Sequence, residues 1–273
     1  MLLGLQKSYD FCYSSSKQHY RLASVLAKSI NILSRFLGRR DVTELTQSAL
    51  QNRFGFSQAD AMVLFGGSII LGGDVLAEAM KNNVAKTYLI VGGVGHTTPA
   101  LRETAKSAIP SLDTSSLTEA EIFQAYLKEK YSLTADYLET ASTHCGNNIT
   151  NLLALFEQNN LSPKSLILTQ DATMQLRMHA TLKKYRPDIQ AINFASYEAT
   201  VIEKNNALSY SEDIPGMWPL DRYVKLLLGE IQRLTDDEHG YGPKGKNFLA
   251  HTPIPKEVQQ AYQTLLASGL APR

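Results

Sequence analysis

The sequence predicts an α/β protein: a Rossmann-like, doubly wound parallel sheet of about five strands, joined by a helical subdomain drawn from the N- and C-terminal segments. Three observations carry this expectation. Short apolar runs alternate with segments of helical periodicity from residue 59 to about 200. Two of the runs end in paired glycines: residues 62–65 lead into Gly66-Gly67-Ser68, and residues 87–91 lead into Gly92-Gly93-Val94-Gly95-His96-Thr97. A further run, Ser165–Thr169, is continuously apolar, as suits a strand in the middle of a parallel sheet.

In chain order, Leu22, Val25, Leu26, Ile30, Leu33 and Leu37 recur at three- and four-residue spacing, which predicts an amphipathic helix over 17–37 stopped by Gly38. Asp41 with Glu44 has the form of a capping box, and Val42, Leu45 and Ala49 continue one face, so a second helix is expected to run to about Arg53. The first strand then ends at Phe65, and 74–81 gives a short helix. The second strand feeds the glycine loop, and Pro99 suits the first turn of a helix continuing through 101–108. Thr118 and Glu121 cap a helix over 119–130. A short strand over 136–139, a helix opening at 142–151, and the fourth strand follow. Asp171 and Thr173 are read as caps of a helix through Tyr185, and 189–194 as the fifth strand. Past Thr200 the pattern changes. Residues 205–215 read as a polar loop, Pro219 opens a strongly apolar helix through Leu234, 236–245 is a Gly-rich loop, and Pro255 starts a last amphipathic helix. The expected division is 1–58 as N-terminal helices, 59–200 as the α/β core, and 201–273 as a helical segment packing with the first.

Composition bounds the function. A chain of 273 residues buries a sizeable core. Its formal charge of +1, without a long basic block, argues against nucleic acid as a partner. Two distant cysteines, Cys12 and Cys145, without C-x-x-C spacing suggest neither a disulfide framework nor a zinc site, and fit a reducing cytoplasm. No apolar stretch approaches the ~20 residues that span a bilayer, and residues 1–20 lack the form of an export leader. A cytoplasmic protein without a membrane span, acting on a small-molecule ligand, is the expectation.

In a doubly wound sheet ligands sit beyond the carboxyl ends of the strands. That edge collects Gly66, Gly67, Ser68, Gly92, Gly93, Gly95, His96, Thr97, Glu139, Thr143, Asn147, Asp171, Thr173 and Arg177. A glycine turn opening a helix offers free N–H groups to an anion or a polar cofactor edge. His96 and Asp171 are the catalytic candidates: His96 titrates near neutrality and suits acid–base work, and Asp171 shares its helix start with Arg177, six residues on. Glu139 ends a strand, where a carboxylate binds ribose hydroxyls or accepts N–H bonds from the next helix start. Thr143 and Asn147 read as recognition groups. The spacing of His96, Glu139 and Asp171 matches no metal-ligand motif, so no metal is assigned.

Four stretches together resemble the bacterial YdcF-like family: 92–98; Glu139 with Ser142-Thr143-His144-Cys145-Gly146-Asn147-Asn148; 170–177; and the tail from Trp218-Pro219-Leu220-Asp221-Arg222-Tyr223 through Tyr241-Gly242-Pro243-Lys244-Gly245. The likeness runs from about Asp60 to about Val258. The tail is specific to the YdcF branch; the other motifs are shared with a broader α/β family whose membrane-linked members SanA and ElyC are tied to envelope integrity. The resemblance implies a Rossmann-like sheet with an added helical part, and binding of S-adenosylmethionine or a related adenosyl ligand at the tips marked by Gly66, Gly92 and Glu139, with no established methyl acceptor. The chain departs from ordinary methyltransferases in having Gly66-Gly67-Ser68 after its first strand and glycines where the ribose-binding acid usually ends the second. Two other readings stand beside it: a hydrolase or transferase acting on a phosphorylated or glycan-linked envelope metabolite, with His96 and Asp171 in acid–base roles, and a non-catalytic metabolite-sensing module.

Overall fold

Five short strands, β1 (Ala61–Phe65), β2 (Tyr88–Val91), β3 (Tyr137–Glu139), β4 (Ser165–Thr169) and β5 (Gln190–Asn193), form one sheet in the order β3-β2-β1-β4-β5, every neighbouring pair parallel. The structure, a computed structural model, describes residues 22–205 and 207–272; Cys12 and the expected helix start at 17–21 lie outside them. The three central strands are buried along their whole length, while the edge strands β3 and β5 are not, which is why the continuous apolar runs fall in the middle. The chain winds outward from β1 to β3, then returns to β4 beside β1. The crevice between the tips of β1 and β4 is therefore the switch point of the sheet.

Helices cover both faces. The described part of α1 spans 22–37, followed by α2 (Gln47–Phe54), α3 (Leu71–Lys81), α4 (Thr98–Ala108), α5 (Glu119–Tyr131), α6 (Cys145–Gln158) and α7 (Gln175–Tyr185). The two-residue period of β1 sends Met62 and Leu64 into one core with Leu50 of α2, Leu76 of α3, Leu101 of α4 and Phe123 of α5. It sends Val63 and Phe65 into another with Ile149 and Leu152 of α6 and Met178 of α7. A third cluster unites Ile30, Leu33 and Leu37 of α1 with Tyr223, Val224 and Leu227 of α8 (Leu220–Leu234) and Val258 and Leu265 of α9 (Lys256–Ala267). The first and last described helices thus share one apolar core, while α2 packs against the sheet.

Three local expectations change. The second helix begins at Gln47, where Thr46 accepts the Ala49 N–H, and not after Asp41. Asp41 is occupied elsewhere: its carboxylate accepts from the backbone and side chain of Asn193 at the end of β5 and from Arg39. The expected loop at 205–215 contains half of a hairpin, β6 (Val201–Lys204) paired antiparallel with β7 (Ala207–Tyr210), because Val201, Leu208 and Tyr210 pack on the helical cluster despite their polar neighbours. Finally, α7 starts at Gln175 without a side-chain cap; Asp171 closes a turn ahead of it instead, accepting from Thr173. No helix among the described residues is long and apolar enough to cross a membrane.

Candidate functional site

The tips of β1, β2 and β4 converge, with the start of α5 and the loop before α6, around a cleft of about 690 Å³, its mouth included. The close approach explains the glycines. A Cβ on Gly92 would lie 3.1 Å from the Gly66 Cα, and one on Gly93 would lie 2.2 Å from the Ser142 carbonyl oxygen. Their amides are spent on the same contacts: Gly66 N–H donates to Val91, Gly92 to Glu139 and Gly93 to Ser142, while Gly95 donates to the Thr98 hydroxyl. Gly66, Gly92, Gly93 and Gly95 therefore offer no free N–H to a cleft occupant and instead weld the strand tips together.

Glu119 is the chief of those side chains. Thr118 and Glu121 form the reciprocal capping box that starts α5, and the first helical amides, Glu119 and Ala120, donate to the carbonyls of Gly93 and Gly92. This turns Glu119 back over the strand tips, where it is 7% exposed. Its Oε1 accepts from the hydroxyls of Thr97 (3.0 Å) and Thr98 (2.9 Å). Its Oε2 accepts no hydrogen bond from the described residues and lies 2.4 Å from where a Gly66 Cβ would stand, so only glycine fits beneath it. Burial pushes the Glu119 carboxyl above its ordinary range, opposed by the two threonines and by the charge of His96.

Asp171, 6% exposed, lies just past the end of β4 on the other side of the crevice. Its Oδ1 accepts from Thr173 N–H (2.9 Å), the Thr173 hydroxyl (2.7 Å) and Tyr197 (2.8 Å). Burial raises its pKa against these donors and the Trp218 side chain. His96 stands exposed on the rim. Burial also raises the Cys145 thiol, which donates to the Met174 sulfur at 3.4 Å, so it is a poor nucleophile.

Of the residues anticipated from sequence, Gly66, Gly67, Ser68, Gly92, Gly93, Gly95, His96, Thr97, Thr143, Asp171 and Thr173 line this cleft. Glu139, Asn147 and Arg177 do not. The Glu139 carboxylate accepts from the N–H groups of Ala141 and Ser142 and from the Asn151 amide, pinning the loop that Gly93 touches. Asn147 folds back onto its own helix start, accepting from His144 and Thr143 N–H, in a box with His144 as the cap. Arg177 forms a two-bond ion pair with buried Glu230 (2.6 and 2.9 Å) and faces a separate groove. Sequence reasoning missed Glu119 and Gln170. The capping box at Thr118 located the turn, but nothing local told that the next carboxylate bends back to the sheet.

Among the described residues lining the cleft there is no lysine or arginine, against two buried carboxyls and two histidines. No group of three or more His, Cys, Asp or Glu side chains among the described residues is placed to hold a metal ion. Fold and cleft define a Rossmann-like α/β protein with a cleft carrying two buried carboxyls at the switch point of its sheet. No protein-family model matches the chain.

The carboxyls make a pH prediction. With the Glu119 pKa raised above its ordinary 4.5 by burial, the folded protein binds more protons than the unfolded chain from that value up through the raised one, so this group erodes stability as pH rises across the interval. Thermal unfolding of Glu119→Gln beside the wild type is expected to show the variant gaining relative stability from pH 4 to pH 7. A difference independent of pH contradicts the assignment.

Proposed function

We propose that this is a YdcF-like small-molecule-binding protein whose cleft takes a positively charged small ligand, with S-adenosylmethionine or a related adenosyl compound as the ligand. The observation that carries the reading is the pair of buried carboxyls, Glu119 and Asp171, in a cleft lined by no lysine or arginine of the described residues. A buried carboxylate without a counter-charge costs several kcal/mol, or takes up a proton. A sulfonium and an ammonium supply the missing charge, and binding them favours the ionised carboxylates. Bound S-adenosylmethionine would bring an electrophilic methyl group to the cleft; the chain's own part is to hold that ligand between Glu119 and Asp171. The raised Cys145 thiol does not recommend itself as a methyl acceptor.

The phosphoryl- or glycosyl-processing alternative finds less support, since the amides of Gly66, Gly92, Gly93 and Gly95 are engaged and the carboxyls repel an anion. A sensing module uses the same contacts and differs only in leaving the ligand unchanged. The same reading sets the protein in the bacterial cytoplasm, where Cys145 stays a free thiol.

Thermal unfolding against S-adenosylmethionine, S-adenosylhomocysteine, ATP, a uridine diphosphate sugar and magnesium tests the proposal. A ligand at a hundredfold excess over its Kd stabilises by about 2.7 kcal/mol. The adenosyl compounds are expected to raise the midpoint, and Glu119→Gln to remove most of that rise. A rise with the sugar nucleotide or magnesium, and none with the adenosyl compounds, sinks it. Recovery of the ligand intact after prolonged incubation assigns sensing over catalysis.

A further inference from the structure

Two side chains at the floor of the cleft are buried with polar atoms that no protein group satisfies. Ser68 is 2% exposed and Gln170 is 1% exposed, and neither the Ser68 hydroxyl nor the Gln170 Nε2 has a hydrogen-bond partner among the described residues. Such groups cost stability unless something else pairs them. The Gln170 amide cannot turn to relieve this. Its Oε1 accepts the Asp171 N–H at 2.6 Å, and the backbone N–H of Gln170 donates to Gln175, whose own side-chain amide is fixed in turn by Leu168 and Asn193. The nitrogen is thus the end left unpaired, in a residue that lines the cleft.

The positions of these groups say what they read. A Cβ on Gly67 would lie 3.3 Å from the Gln170 oxygen, and one on Gly66 would lie 2.4 Å from Glu119 Oε2. Gln170 and Glu119 thus each approach one of two consecutive residues, Gly67 and Gly66, Ser68 comes next along the chain, and all three side chains line the same cleft. The Gln170 and Ser68 groups are neutral and sit beside two carboxyls, so an anionic oxygen is repelled there. A hydroxyl both donates and accepts. Adjacent hydroxyls on a ring offer donors and acceptors to the unpaired Ser68 and Gln170 groups and to Oε2 of Glu119, with no charge added.

We propose that Ser68, Gln170 and Oε2 of Glu119 form a diol-recognition subsite which, on the adenosyl-ligand reading, takes the ribose hydroxyls. It does so in a chain whose second strand ends in glycines and not in a carboxylate. Ser68→Ala removes a hydroxyl that no protein group bonds, so the unliganded variant is expected to unfold at or above the wild-type midpoint. Gln170→Glu keeps the oxygen that accepts from Asp171 and replaces the free donor by an acceptor.

The test is calorimetric titration of wild type, Ser68→Ala and Gln170→Glu with adenosine, 2′-deoxyadenosine and 3′-deoxyadenosine, and ligand-observed NMR with ribose and 2-deoxyribose. Wild type is expected to prefer adenosine to the deoxy compounds by about tenfold or more, and both variants to lose most of that preference. Equal binding of adenosine and both deoxy compounds by wild type, or a preference that survives in both variants, overturns the subsite while leaving the adenosyl reading standing. Binding of ribose over 2-deoxyribose with no binding of any adenosine compound upholds the subsite and removes the adenosyl reading. Binding of none of these probes overturns the subsite, while the adenosyl reading stands or falls on the titration with S-adenosylmethionine itself.

Discussion

Gly93→Ala is expected to lower the free energy of unfolding by at least about 3 kcal/mol, measured by urea denaturation. The added Cβ would meet two backbone carbonyl oxygens, Ser142 at 2.2 Å and Thr140 at 2.7 Å, and neither is the yielding end of a flexible side chain. Movement away from them strains the Gly93 N–H bond to Ser142 and the bond from Glu119 N–H to the Gly93 carbonyl. The damage therefore spreads from the β2 tip to the start of α5, which aims Glu119 into the cleft. A loss below about 1 kcal/mol, within the ordinary range for single substitutions, contradicts the welded-tip account. A change at Gly93 consequently tests the fold more than the ligand, and Glu119 and Ser68 are the sharper probes of binding.

Arg177→Met carries the second large effect. Arg177 and Glu230 meet through two short bonds, with side chains 15% and 4% exposed, and Arg233 adds a longer contact to the same carboxylate at 3.2 Å. Removing Arg177 leaves Glu230 short of its main counter-charge, a change that costs about 3–5 kcal/mol for buried pairs. Replacing both partners, as Arg177→Met with Glu230→Leu, is expected to restore much of the loss, because no uncompensated carboxylate remains. A double variant as unstable as the single one assigns Arg177 a different role. Ligand affinity in the main cleft is expected to survive, since Arg177 does not line it.

The sheet was legible because its signal is local: β1, β2 and β4 are buried end to end, so their apolar runs are continuous, and the alternation with helices fixes a parallel, doubly wound sheet. The cleft was legible for a topological reason, as the Gly66, Gly92 and Asp171 tips meet wherever strand ends do. What escaped was partnership across the chain. Asp41 looks like a helix cap until Asn193, 152 residues away, claims it. Arg177 looks like a partner for Asp171 until Glu230 of α8 takes it. Glu139 and Glu119 are both acids beside helix starts; which one turns inward depends on whether the neighbouring backbone N–H groups bond the carboxylate, as Ala141 and Ser142 do for Glu139, or bond glycine carbonyls, as at Glu119.

The most direct test is calorimetric titration of the wild-type protein at neutral pH with S-adenosylmethionine and, separately, with S-adenosylhomocysteine, which lacks the methyl group and with it the sulfonium charge. If the buried carboxyls of Glu119 and Asp171 select a cationic ligand, S-adenosylmethionine binds more tightly, and the gap narrows in Glu119→Gln. Equal or tighter binding of S-adenosylhomocysteine, or no binding of either, contradicts the account.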